Sequence, residues 1–170
     1  MPLRLALLLL FTGLAAGCVS SGHDSPMQTG KGRDEARIAY VQLGLGYLRQ
    51  GMSEQAKVPL KKALELDGDD ADANAALALV FQAQAEPELA DAYFHKALAA
   101  RPADPRLLNN YGSFLFAQQR YDQASRYFQQ ASTDTLYPER SRVFENLGVT
   151  SIRLGLRDSG RQQLEKALHL

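Results

Sequence analysis

The sequence predicts an all-α fold, a solenoid of helix-turn-helix pairs stacked in chain order. Three observations predict it. First, the stretch 107–131, LLNNYGSFLFAQQRYDQASRYFQQA, reads as a helix, a tight turn at Gln119 and Arg120, and a second helix. Second, its residue classes return at a fixed interval. Tyr111, Gly112, Leu115, Ala124, Phe128 and Ala131 are matched 34 positions earlier by Leu77, Ala78, Phe81, Ala90, Phe94 and Ala97. Another 34 positions back stand Leu43, Gly44, Tyr47, Ala56, Leu60 and Ala63, and a weaker copy 36 positions forward holds Leu147, Gly148, Ser151, Gly160, Leu164 and Ala167. Third, helix breakers such as Gly51, Pro102 and Gly155 fall between the helices, where a helix has to stop.

A period near 34 with this spacing is the tetratricopeptide signature. Each class has a physical task. The small residue after the Leu or Tyr lets the second helix of a pair approach closely, and the Ala that opens that helix sits opposite. Tyr47, Phe81, Phe94, Phe128 and Leu60 fill the gap between helices, and Ala63, Ala97 and Ala131 let the next repeat stack. One pair cannot bury its own apolar face, so the pairs stack.

Taken in order, residues 1–17 have Arg4, an apolar run over 5–11 and the small residues Ala15, Ala16 and Gly17. The run is too short to span a bilayer and reads as a secretory signal peptide. The single cysteine of the chain follows, so no intramolecular disulfide can form. Leu14-Ala15-Ala16-Gly17-Cys18 resembles the bacterial lipobox, with Leu one position further from the Cys than usual. That resemblance implies a diacylglycerol on the Cys18 sulfur and further acylation after cleavage; two chains already anchor stably. Val19, rather than Asp, follows the Cys, which by resemblance to lipoprotein sorting rules implies the outer membrane. Residues 18–32 form the lipidated Cys and a flexible Ser/Gly-rich tether, whose last thirteen residues reach at most roughly 45 Å.

Repeats are expected over 33–170, at about 37–70, 71–104, 105–140 and 141–170. Helices are expected over 33–50, from a Ser53 cap to 66 with Pro59 either bending it or leaving one carbonyl unpaired, and over 71–85 and 87–100. Pro102 and Pro105 frame the turn into the central pair. An irregular loop over 132–138 precedes helices over 139–154 and 157–170. No polar capping element follows, so Leu164 and Leu168 are expected on an open edge and the sequence is read as truncated.

The 19 basic and 19 acidic side chains balance, with no basic run, which argues against nucleic acid. No catalytic residue stands out. His23, His95 and His169 fall in the tether or on outward helix positions, and no HExxH, GxSxG, Walker A or CxxC motif occurs. The acidic run 67–72 lacks the Glu a calcium loop needs at its twelfth position, where Ala78 stands, so no metal is expected. The chain reads as a binder, not an enzyme, with no cofactor beyond the lipid at Cys18.

The first helix of each tetratricopeptide pair lines the groove. By spacing, the inward positions are Ile38, Val41, Leu45 and Leu48, then Asp72, Ala75, Leu79 and Gln82. Arg106, Asn109, Ser113 and Phe116 follow, then Arg142, Glu145, Val149 and Ile152. Of these, Ile38, Val41, Leu45, Leu48, Leu79, Asn109, Phe116, Val149 and Ile152 are the candidate partner-binding residues. The first repeat is unusually apolar there. That stripe either receives an apolar helix or extended segment, or packs on the tether or the neighbouring helix. Asn109 and Asn110 either bond a bound peptide's backbone or bond within the repeat.

The run 109–115, NNYGSFL, followed by 134–148, DTLYPERSRVFENLG, is more specific than a generic repeat. With the lipobox and the opening Ala36-Arg37, Leu43-Gly44 and Tyr47-Leu48, the chain resembles the type IV pilus pilotin family, PilF/PilW-like, over nearly its whole length. That resemblance implies an outer-membrane lipoprotein with its repeats facing the periplasm. It implies a secretin subunit of the pilus as the partner, whose localisation and multimerisation it promotes, with no small-molecule substrate. The alternative is another tetratricopeptide lipoprotein that scaffolds outer-membrane or cell-wall assembly.

Overall fold

The computed structural model describes residues 29–170, so the expected signal peptide, Cys18 and the tether as far as residue 28 lie outside the described residues. Asp34–Leu170 form one compact unit. Eight helices follow one another, with no strand among the described residues: α1 (Gly30–Arg49), α2 (Ser53–Leu66), α3 (Ala71–Ala83), α4 (Pro87–Ala100), α5 (Pro105–Ala117), α6 (Tyr121–Ser132), α7 (Arg140–Arg153) and α8 (Arg157–Leu168). The fold is the all-α repeat solenoid expected. Residues 30–32 are helical rather than tether.

The turn inside each pair is built the same way four times. The N–H groups of Met52, Glu86, Arg120 and Leu156 each donate to the carbonyl five residues back, on Tyr47, Phe81, Leu115 and Ser151, all at 2.9 Å. The residue before each donor is left-handed: Gly51 at φ 73°, Ala85 at 57°, Gln119 at 59° and Gly155 at 82°. This is the Schellman closure, in which the last carbonyls of a helix are satisfied by the turn itself. It corrects two expectations. α3 ends at Ala83, and Ala85 belongs to the turn, not the helix. Ser53 is the first residue of α2 and not its cap; the N-cap position is Met52 and makes no side-chain bond. Where the backbone has already turned, a capping side chain is not needed to aim the chain.

The turns between pairs work differently. Asp70 accepts from the Ala73 N–H at 2.6 Å, and Asp104 accepts from those of Arg106 and Leu107 at 2.9 and 3.2 Å. These are true N-caps for α3 and α5, worth about 1 kcal/mol each. α2 runs unbroken through Pro59, which is buried. The carbonyl of Gln55 loses its donor there, but Gln55 is exposed and water can replace it.

Packing within each pair is set by one small residue against one large one. A Cβ added to Gly44 would lie 2.5 Å from Leu60; one on Gly112 would lie 2.7 Å from the ring of Phe128; one on Gly148 would lie 2.7 Å from Leu164. The large side chain, four residues after the small residue that opens the second helix, is therefore what the glycine meets first, and in the last pair that opening residue, Gly160, also faces it at backbone distance. The stacking alanines Ala63, Ala97 and Ala131 are fully buried, as expected. The centre of the core is aromatic: Phe94 packs on Tyr111 and Phe114 at 5.4 Å between ring centroids. Leu77, Tyr111 and Leu147 are buried between successive pairs, whereas their equivalent Leu43 is 49% exposed. No described helix precedes α1 to cover it.

Candidate functional site

The residues expected to line a groove divide into three groups. Ile38, Val149 and Ile152 are exposed, at 51, 41 and 44%. Leu45, Leu48, Leu79 and Phe116 are half-buried and lie against the core. Val41 and Asn109 are buried and present nothing to a partner. Val41 packs with Ala63 and Ala73 where α1 meets the junction of α2 and α3. In the first repeat the open apolar surface beyond Ile38 therefore lies elsewhere on α1: Tyr40, Leu43 and Tyr47, with Val58 of α2, line a cleft of about 300 Å³. Turning Val41 and Leu45 toward the next pair turns Tyr40, Leu43 and Tyr47 out.

The third and fourth repeats hold the sharpest feature on the expected face. Ser113 and Phe116 of α5 and Asn146 and Val149 of α7 enclose a cleft of about 130 Å³, with the buried ring of Phe128 beneath. An apolar cavity of similar size can hold benzene, so one Leu or Phe side chain is the right scale of occupant. Polar groups fix the rim. The Nδ2 of Asn146 donates to the Oδ1 of Asn109 at 3.0 Å, and Ser113 donates to the Asn109 carbonyl at 2.9 Å. Asn109 thus bonds within the scaffold. Asn146 keeps its Oδ1 without a donor among the described residues. Asn146 was absent from the expected site, although it stands at the repeat position of Asn110, directly before the residue equivalent to Tyr111.

Charge braces the edge of this face. Asp72 pairs within its own helix pair with Arg101 at 2.6 Å and across to the next with Arg106, and Arg37 pairs across with Asp70, so two of the three links join neighbouring pairs. Burial would raise the Asp72 carboxyl, but the hydrogen bonds and charges of Arg101 and Arg106 outweigh it and hold the group below its ordinary value. Among the described residues no group of three or more His, Cys, Asp or Glu could hold a metal ion.

Comparison with known proteins places this geometry. The tetratricopeptide repeat family model matches residues 38–70 and 105–133. The type IV pilus assembly protein PilF of Pseudomonas aeruginosa is 55% identical over 170 residues, all of this chain and 68% of that protein. A solved structure of Pseudomonas aeruginosa PilF superposes with a TM-score of 0.81 at 58% identity, over 82% of this chain and 63% of the other. PilW, a type IV pilus biogenesis factor, superposes with a TM-score of 0.75 at 26% identity, over 79% of this chain and 62% of the other. The chain thus spans less than two thirds of either solved relative.

Proposed function

The chain belongs to the PilF family of type IV pilus assembly proteins, and on that premise we propose that it is a non-catalytic adaptor of pilus biogenesis that grips a subunit of the pilus secretin. In this reading it promotes the secretin's delivery to the outer membrane and its multimerisation there. Residues 1–17 are a signal peptide, Cys18 carries the lipid that fixes the protein to the outer membrane, and the repeats face the periplasm. No nucleotide, metal or other cofactor takes part.

The observation that carries this proposal is apolar surface that folding leaves uncovered on the expected groove face. Val149 stands exposed at the cleft it lines with Phe116, Ile152 stands exposed one turn further along α7, and Ile38 stands exposed on α1. Each Leu- or Ile-sized side chain a partner buries there contributes roughly 1.5–3 kcal/mol. The scaffold is braced beforehand by its turns and ion pairs, so little ordering is required when the partner docks.

The test is genetic. In a strain lacking this protein, secretin multimers are expected to fall in the outer membrane and to return when the wild-type chain is supplied. Cys18→Ala is expected to leave a folded protein that fails to restore them. Normal outer-membrane multimers in the deletion strain would rule the proposal out. Capture of cell-wall enzymes with no secretin would favour the scaffold of another assembly.

A further inference from the structure

Away from the groove face, α4 and α6 flank a cleft of about 310 Å³ whose floor is Tyr111. We infer that this cleft is an oxyanion site for phosphate, whether free or carried on a lipid headgroup.

The floor is fixed first. The Tyr111 hydroxyl lies 2.9 Å from the Oδ1 of Asp91 and 3.0 Å from the Nε2 of His95. A carboxylate only accepts, so the single phenolic proton goes to Asp91. The phenol oxygen then accepts from His95, which puts the imidazole hydrogen on Nε2. Burial, followed by the bond to Asp91, keeps the Tyr111 phenol protonated far above its ordinary range.

Asp91 also receives Nη1 of Arg120 at 2.9 Å, while Nε of Arg120 donates to Gln123 at 2.5 Å. Two bonds hold this guanidinium in place and leave its Nη2 with no acceptor among the described residues. An arginine already held loses less freedom when it binds.

Along the wall, further donors are free. Arg126 has no acidic partner or hydrogen bond among the described residues, and neither the Tyr127 hydroxyl nor the Gln130 carboxamide makes one. The Tyr127 ring meets Tyr111 edge-on at 4.7 Å between centroids, which fixes its position. No carboxylate lines the cleft, since Asp91 is turned to its three partners. Two guanidinium groups, a phenol and an amide around one space suit a group with several oxygens, and phosphate takes paired N–H donors from arginine. The space is several times the roughly 30 Å³ of a water molecule, so the phosphate's substituent also fits.

The test uses the purified full-length chain carrying Cys18→Ala, so that no acyl chain binds vesicles by itself, and the same chain with Arg126→Gln. That residue has no internal partner, so its melting temperature is expected to match the wild type. In one arm, inorganic phosphate is titrated while the amide resonances of residues 120–130 are followed. In the other, sedimentation is measured with phosphatidylcholine vesicles with and without phosphatidylglycerol. A phosphate response centred on α6 that weakens about tenfold in Arg126→Gln supports the site with free phosphate as ligand. A phosphatidylglycerol-dependent binding that weakens similarly, with free phosphate silent, supports it with a headgroup as ligand. Binding in either arm that Arg126→Gln leaves unchanged, or no binding in both, overturns it.

Discussion

Gly112→Ala adds one methyl group at the point where α5 and α6 come closest. Three ring atoms of Phe128 would stand 2.7, 2.8 and 3.1 Å from it, inside the 3.4 Å at which ordinary contact begins. The ring must withdraw by more than half an ångström, and being 1% exposed it is packed on every side but that of the cleft it floors. Overpacking of this kind costs about 1–3 kcal/mol. Replacing a helical glycine by alanine returns about 0.5–1 kcal/mol. The expected net loss is about 1 kcal/mol. With a urea slope of roughly 1–3 kcal/mol per molar, the unfolding midpoint should fall by about 0.3–1 M, read by far-ultraviolet circular dichroism. Gly46→Ala is the control. Its added methyl meets nothing nearer than a guanidinium nitrogen of Arg49 at 3.9 Å. That variant gains the helical preference alone and should rise by about 0.5–1 kcal/mol. A midpoint for Gly112→Ala at or above the wild type, or both variants moving the same way, would refute the packing account of the repeat.

Ala85→Gly and Gln119→Gly place glycine where the backbone is already left-handed. The relieved strain of about 1–2 kcal/mol exceeds the added freedom of the unfolded chain, so each should raise the melting temperature, in contrast to glycine at any helical alanine. Asp72 has a folded-state pKa below its ordinary value, so its stabilising effect is complete above the unfolded pKa near 4 and is lost as pH falls through the lowered one. Acid titration of stability should therefore show a shallower fall below about pH 4 in Asp72→Asn than in the wild type. Leu45 is half-buried against both core clusters, so Leu45→Asp should unfold at clearly lower denaturant, by more than about 1 kcal/mol, rather than act on partner binding alone.

The repeat was legible because its packing rule writes itself into the chain twice per pair. Gly112 and Phe128 are both needed for one contact, and each alone would carry a weaker signal. The turns were legible where Gly51 and Gly155 supply the left-handed residue, and not at Ala85, because an alanine there looks like more helix. The face of α1 was read a step off. Ile38, Val41, Leu45 and Leu48 share one helical stripe, but which stripe faces the next pair depends on how α1 crosses α2, and spacing within one helix does not carry that angle. Asn109 was one of two adjacent asparagines, and only the Asn146 contact from α7 shows which of them is buried. The donors around Tyr111 of α5 come from α4, α6 and the turn before α6, which no local motif brings together.

We propose that the uncovered apolar residues beside Phe116 hold a secretin subunit. This is tested most directly by titrating the purified secretin subunit into the full-length chain and into its Val149→Asp, Ile152→Asp double variant. Saturable binding to the wild type is expected, at least tenfold weaker for a variant that melts at the same temperature, since two buried aliphatic side chains contribute more than about 1.4 kcal/mol. Equal affinity for both proteins, or no binding to either, would contradict it.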